Sequence, residues 1–215
     1  MNAKNHLILH SKHITMQQHT IQIRQAIKSD APFIAQAVAM AIGDEKAMRN
    51  YCGEDYIALL TEIAENEKSQ YSYTNSFVAE FDGKIAGAIV GYDGANLHEL
   101  RATTYSIIYK CLGHTPAIPD ETEAGEFYLD SIAVFPEYRR LCIGKELIKA
   151  IKEKAFSQGH ARVGLIVDSE NPRAEALYTS LGFTRVGEKS FFGHKCGIFK
   201  LFNQIKHRKR DALFD

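Results

Sequence analysis

The sequence predicts a mixed α/β domain, and three features of it do so. Short runs of alternating apolar residues are interleaved with longer runs whose apolar positions recur every three to four residues. Asp82-Gly83 separates two strand-like runs, a strong hairpin signal. A strand, a cationic turn, a helix and a further strand then follow one another over residues 126–167. The length of 215 residues suits one domain, and 45% hydrophobic with 24% charged residues is ordinary globular composition, enough to bury a core.

Charge and cysteine usage exclude several classes. The 26 Lys and Arg balance 26 Asp and Glu, so the chain lacks the overall positive field of a dedicated nucleic-acid binder. Cys52, Cys111, Cys142 and Cys196 form no C-x-x-C pair and have no paired histidines beside them, which argues against zinc and against a disulfide scaffold. No metal is expected. No run reaches the roughly 18 apolar residues of a membrane span, and the N-terminal apolar stretch is too short for a secretory signal. The expectation is a cytoplasmic protein that engages neither nucleic acid nor membrane.

Residues 1–20 carry His6, His10, His13 and His19 among polar neighbours without a sustained period, and read as a flexible tail. Ile21 to Ile27 alternates like a half-buried strand. Ser29-Asp30-Ala31-Pro32 supplies helix-start chemistry for the apolar run Phe33 to Ile42. Tyr56, Leu59, Leu60 and Ile63 place a second helix over residues 54–67. Ser76 to Phe81 and Lys84 to Tyr92 are the antiparallel arms of the hairpin. The segment 93–125 exceeds a plain connection; Leu97, Leu100, Tyr105, Ile108 and Leu112 mark a helix in it that ends near Gly113. It reads as a helical insertion before the fourth strand, Glu126 to Val134.

After that strand, Ile143, Leu147, Ile148, Ile151 and Ala155 share one face of a helix that runs to Ser157 and stops at Gly159. Ala161 to Val167 is the next strand. Asn171 as N-cap, Pro172 at the first helical position and Gly182 past the end bracket a short helix. Thr184 to Val186 and Gly197 to Phe202 close the sheet. The domain therefore spans 21–202, and 203–215, with its basic run Lys206 to Arg210, reads as a solvated tail.

Chemistry concentrates between Leu129 and Lys145. A strand leads through a tight cationic turn into a helix N-terminus, where unpaired N–H groups, the helix dipole and Arg139, Arg140 and Lys145 could together cradle a pyrophosphate. On spacing alone, a basic turn that happens to precede a helix fits equally well.

Two segments decide between these readings. Arg139-Arg140-Leu141-Cys142-Ile143-Gly144 resembles the phosphate loop of the GNAT superfamily of N-acetyltransferases, Q/R-x-x-G-x-G/A, with Cys142 at the place of the first glycine. Asn171-Pro-Arg-Ala-Glu-Ala-Leu-Tyr-Thr-Ser-Leu-Gly-Phe183 is similar to the family's N-x-x-A-x-x-L-Y-x-x-x-G-F segment. The resemblance covers roughly Ile21 to Phe202 and is strongest from Tyr128 to Val186. It implies a splayed, mostly antiparallel central sheet flanked by helices. Acetyl-coenzyme A (acetyl-CoA) is the implied cosubstrate, entering a V-shaped opening between the strands 128–134 and 163–167. By the same resemblance the backbone of Ile132, Ala133 and Val134 pairs with the pantetheine arm, and Arg139, Arg140, Leu141, Cys142, Ile143, Gly144, Lys145 and Asn171 complete the cofactor site.

Acetyl transfer to an amine needs a proton acceptor for the ammonium, a donor for the oxyanion and an acid for the departing thiolate. Tyr178 is the family-like acid; the alternative is a buried Tyr packed before Leu181 and Phe183. For the base, Glu126 and Asp130 are even-spaced on one strand and face the same side. Each has an ordinary reading as well, Glu126 as a solvated strand start and Asp130 as a structural acceptor. Asp168 and His160 are weaker candidates. Asp120, Glu121, Glu123, Glu126 and Asp130 put five carboxylates within eleven residues, a patch that favours a cationic amine. The insertion, with Tyr105 and Tyr109, is a candidate wall or lid. Two functions stand: an N-acetyltransferase working by direct transfer to a small-molecule or peptide amine, and a GNAT-like CoA-binding or regulatory domain without catalysis. A longer acyl donor is a third, weaker reading, and a homodimer is left open.

Overall fold

A computed structural model describes residues 19–191 and 193–203. Seven strands form one open sheet: β1 Ile21–Gln25, β2 Ser76–Phe81, β3 Lys84–Asp93, β4 Phe127–Val134, β5 Arg162–Asp168, β6 Thr184–Phe191 and β7 His194–Phe202. Their spatial order is β1-β2-β3-β4-β5-β7-β6, and every neighbouring pair is antiparallel except β4 and β5. The β2–β3 turn has φ of 49° at Asp82 and 77° at Gly83, the left-handed pair a two-residue hairpin needs.

Six helices cover the faces: α1 Ala31–Ile42, α2 Glu45–Cys52, α3 Tyr56–Glu65, α4 Leu97–Leu112, α5 Ile143–Ser157 and α6 Pro172–Ser180. Strand alternation divides the core in two. Val78, Val90 and Tyr128 join Ile34, Val38, Leu60, Ile63 and Ile108 on the side of α1, α3 and α4. Ala79, Ile89, Phe127 and Leu129 join Leu147, Ile148 and Ile151 of α5 on the other. The insertion is helical as expected: α4 ends at Gly113, which takes the left-handed φ of 73°.

Some elements depart from the sequence reading. β1 stops at Gln25 because Arg24 forks onto Asp30, at 2.6 and 3.1 Å, and the Asp30 carboxylate accepts the Ile27 N–H; Ile27 is left 56% exposed. Helix α2 is an addition: only Met48, Tyr51 and Cys52 of it are buried, too few for a clear apolar period, although Asp44 caps it by accepting the Ala47 N–H at 3.0 Å. β6 and β7 extend beyond the expected ends, since β6 lies at the sheet edge and its exposed polar residues hide the alternation. His19 and Thr20, assigned to the tail by sequence, hold the hairpin turn: His19 Nδ1 lies 2.6 Å from Asp82 Oδ2 and Thr20 N–H bonds Asp82 Oδ1. The remainder of the expected N-terminal tail, and all of the C-terminal one after Asn203, fall outside the described residues. Among the described residues no helix is long and apolar enough to cross a membrane.

Candidate active site

Strands β4 and β5 pair at Phe127 with Val163 and Tyr128 with Gly164, and then part. Beyond that point Ile132, Ala133 and Val134 pair on one edge with Ile89, Ala88 and Gly87 of β3, while their other edge faces an open cleft. The cleft runs between Leu129 to Val134 of β4 and Ile166 to Asp168 of β5, and is closed by Gly144, Asn171, Ala174, Leu177 and Tyr178. A β-bulge shapes it. Val90 pairs with Ser131 and Gly91 with Leu129, so Asp130 is the extra residue of β4. Parity along the strand switches there: Leu129, Ile132 and Val134 pack toward α5, Tyr128 and Ala133 away from it.

The cationic loop after β4 is tightly wound. Pro136–Tyr138 form a single 3-10 turn, Arg140 and Cys142 take φ of 66° and 61°, and Cys142 is the N-cap of α5, its carbonyl accepting the N–H of Lys145 at 3.0 Å. Ile143 and Gly144, in the first turn of α5, carry N–H groups without intrahelical acceptors. A Cβ on Gly144 would meet only Val134 Cγ2, at 3.7 Å, so protein packing does not demand glycine here; the bare backbone instead widens the cleft. A diphosphate fits this combination of open N–H groups, small residue and three cations. Cys142 sits in the region where an L side chain is strained, so Cys142→Gly is expected to raise stability by about 1 kcal/mol and to leave acetyl transfer intact. A urea midpoint that fails to rise at constant slope refutes the strain.

At the far wall, the Asn171 side chain caps α6 by accepting the Ala174 N–H at 3.1 Å. Two turns on, Tyr178 is buried, its ring edge-on to Phe183 with centroids 5.7 Å apart. The residue packs on Phe183 and also lines the cleft. Burial pushes its hydroxyl above the ordinary tyrosine range, so it stays protonated at neutral pH.

A second cavity abuts the cleft. Tyr51, Tyr71, Tyr128 and Phe191 give it aromatic walls; Asp44, Glu121, Asp130 and Asp168 give it acid, against Arg101 and His194. It shares Ala41, Asp130, Ile166 and Asp168 with the cleft. The Asp130 carboxylate stands at this junction: Oδ2 accepts from Tyr92 at 2.8 Å and Gln70 at 3.0 Å, and Oδ1 from Ser131 at 2.8 Å. Gln70 also donates to Glu121 Oε1 at 2.7 Å, Tyr92 Oη lies 3.2 Å from the same oxygen, and the other Glu121 oxygen is paired with Arg101. Burial raises the Asp130 carboxyl above its ordinary range against the pull of Tyr92, Gln70 and Ser131. Glu121 is raised by burial and then by the Asp130 charge, with Arg101 opposing.

Glu126 is not among the cavity residues. Its carboxylate lies where β4 and β5 still pair, 3.0 Å from Lys200 Nζ and 3.4 Å from Arg162 Nε, and accepts from Thr122 Oγ1 at 2.8 Å. Gly164 leaves it room: a Cβ there would be 2.7 Å from Glu126 Oε2. His160 also lies elsewhere, edge-on to Phe127 and 3.9 Å from Asp93. The insertion contributes Arg101, Ile118 and Glu121 to the cavity, and not Tyr105 or Tyr109, the latter being 59% exposed. Gln70, Tyr92 and Arg101 carried no sequence signal; Glu121 was visible only as one of five clustered carboxylates.

A splayed parallel pair beside a cationic helix start, with a second cavity abutting the cleft, is consistent with an acetyltransferase. The sequence pattern of the acetyltransferase (GNAT) family matches residues 45–183, more than half of the chain, and the chain belongs to that family. A crystal structure of an acetyltransferase is 30% identical, covering 84% of this chain and 98% of its own, with a TM-score of 0.71. An N-acetyltransferase from Staphylococcus aureus Mu50 shares the fold at 24% identity, covering 84% of this chain and 100% of its own, with a TM-score of 0.75. The thialysine N-epsilon-acetyltransferase of Bos taurus is 44% identical over 55 residues, 26% of this chain and 32% of the bovine protein. The chain spans from 27% to 56% of the length of three curated relatives that it matches.

Proposed function

We propose that the protein is an N-acetyltransferase that moves the acetyl group of acetyl-CoA directly to a cationic primary amine. The observation that carries this reading is the position of Asp130, whose carboxylate borders both the cofactor cleft and the acid-and-aromatic cavity. A carboxylate has about four lone-pair sites; three are taken, and the one left on Oδ1 suits an ammonium. Tyrosine walls give the same cation a favourable π surface. Asp130 anchors the amine, Tyr178 protonates the departing thiolate, and Ile132 to Val134 with Arg139 to Lys145 and Asn171 hold the cofactor. Glu126 is neutralised by Lys200 and Arg162 at the root of the cleft and takes no direct part in the transfer. The bovine relative acts, by its name, on an ε-amine, and an amine at the end of an aliphatic chain is the acceptor this cavity suits. The cytoplasm is the assigned compartment, in keeping with four unpaired cysteines.

The test is thiol release from acetyl-CoA with 1,4-diaminobutane, lysine, a lysine-containing peptide and an aminoglycoside. The expected result is release with at least one aliphatic amine, together with a melt raised by CoA, about 2.7 kcal/mol at a hundredfold excess over Kd. A raised melt without release from any amine identifies a CoA-binding domain without catalysis. A melt that CoA does not move removes the cofactor assignment itself.

A further inference from the structure

We propose that His194 is the base of this reaction, taking the proton from the acceptor's ammonium, and that Asp168 is its positioning residue; the assignment rests on the acetyltransferase reading above. The β6–β7 hairpin, turning at Gly193 with φ 81°, pairs His194 with Phe191 and sets it at the wall of the acceptor cavity. Its imidazole is held between two carboxylates, with Nδ1 3.1 Å from Asp168 Oδ2 and Nε2 3.7 Å from Asp44 Oδ2. Each carboxylate is itself fixed by its other oxygen: Asp168 Oδ1 accepts the Glu170 N–H at 2.9 Å, and Asp44 Oδ1 accepts the Ala47 N–H at 3.0 Å. Asp168 also lines the cofactor cleft, so the imidazole is one residue removed from the cosubstrate's path.

This clamp sets the tautomer. With Nδ1–H directed at Asp168 Oδ2, the nearer carboxylate at 3.1 Å, the neutral ring carries its lone pair on Nε2. Asp44, 3.7 Å from Nε2, accepts from the ring once Nε2 has taken a proton from a donor arriving from the cavity. The other charged groups facing the ring are Glu45, Lys46 and Arg49 of α2, across a shallow surface depression, and Arg49 is already paired with Glu45 and Glu54. Among the described residues no His, Cys, Asp and Glu group has the makings of a metal site. Stability does not explain the arrangement, because His194, Asp168 and Asp44 side chains are 41%, 36% and 41% exposed, and exposed ion pairs contribute about 0–1 kcal/mol.

Atoms and electrons balance in the transfer. The ammonium gives one proton to Nε2 and becomes a neutral amine, whose lone pair forms the C–N bond at the thioester carbonyl. The C–S bond breaks with its electrons on sulfur, which takes the Tyr178 proton. The adduct nitrogen releases its second proton, restoring Tyr178 through solvent, and His194 passes its own to water.

The full chain is assayed with acetyl-CoA and the amines named above, comparing wild type with His194→Gln, His194→Ala, Asp168→Asn and Asp130→Asn. The expected result for His194→Gln is a kcat lower by about 10² or more, an acceptor KM within about threefold of wild type, and loss of the acid limb of the kcat/KM profile. Imidazole should restore part of the rate to His194→Ala, and Asp168→Asn should lower kcat and displace the acid limb. Wild-type kcat and acid limb in His194→Gln overturn the proposal, as does an acid limb kept there but lost in Asp130→Asn. A wild-type protein that transfers to none of the amines overturns the acetyltransferase reading and this one together.

Discussion

Tyr178→Phe is expected to lower turnover by on the order of 10² or more while CoA still raises the melt. Tyr178, on α6, lines the same cleft as Leu129 and Ile132. Burial holds its proton, yet burial penalises a thiolate in the same cleft as well, since either anion must form in a medium that solvates it poorly. Both proton affinities are therefore raised together. Phenylalanine keeps the edge-on contact with Phe183 and removes only the oxygen, so stability should stay within about 1 kcal/mol and the cofactor KM should hardly move. Single-turnover acetyl transfer reads the chemical step without product release. Wild-type rates in that experiment would leave Tyr178 with its packing role alone.

The parts of this fold that were legible in the sequence are those whose determinants are local. The stretch from β4 through α6 declares itself by consecutive residues: apolar strand, cationic turn, one-faced helix, then an Asn-Pro start and Gly stop around Tyr178. Helix α2 was not legible, because eight residues with three buried side chains leave no period to count. The cavity beside the cleft was legible only in part, for a different reason. Gln70 precedes β2, Tyr92 lies on β3, Arg101 on α4 and Glu121 in the loop after it, and each reads alone as an ordinary surface or strand residue. They acquire a role only when the sheet brings them around Asp130. Even spacing put Glu126 and Asp130 forward as a pair; Asp130 lines the cavity and Glu126 does not, and spacing says nothing of Lys200 and Arg162, which come from β7 and β5 to meet Glu126. His194 was invisible for the same reason: its partners, Asp168 and Asp44, lie 26 and 150 positions away and meet it only through the hairpin.

Arg101→Met should be the most destabilising of these substitutions, by about 3–5 kcal/mol, on the order of 10 °C in Tm. The guanidinium is almost wholly buried and fastens the segment 118–121 to α4, donating to Asp120 Oδ1 at 2.8 Å, to Glu121, and to the carbonyls of Ile118 and Pro119. Methionine of similar volume fills the space but leaves Glu121 buried beside Asp130 with no countercharge. Glu121 already lies above the ordinary carboxylate range through burial and the Asp130 charge; losing Arg101 raises it further. A carboxyl whose folded value exceeds its unfolded one destabilises the fold where it is ionised, and that penalty fades as pH falls below the folded value. The deficit of Arg101→Met should therefore shrink from about pH 8 toward about pH 5, the reverse of a carboxylate lost from an exposed ion pair. Replacing both partners, in Arg101→Met with Glu121→Gln, should recover most of the stability at neutral pH, because it removes the orphaned charge. Denaturant midpoints of the two single variants and the double across that pH range test this. A loss below about 1 kcal/mol, or one that does not change with pH, would mean that the Arg101–Glu121 pair is hydrated and that the insertion does not set the charge at the floor of the acceptor cavity.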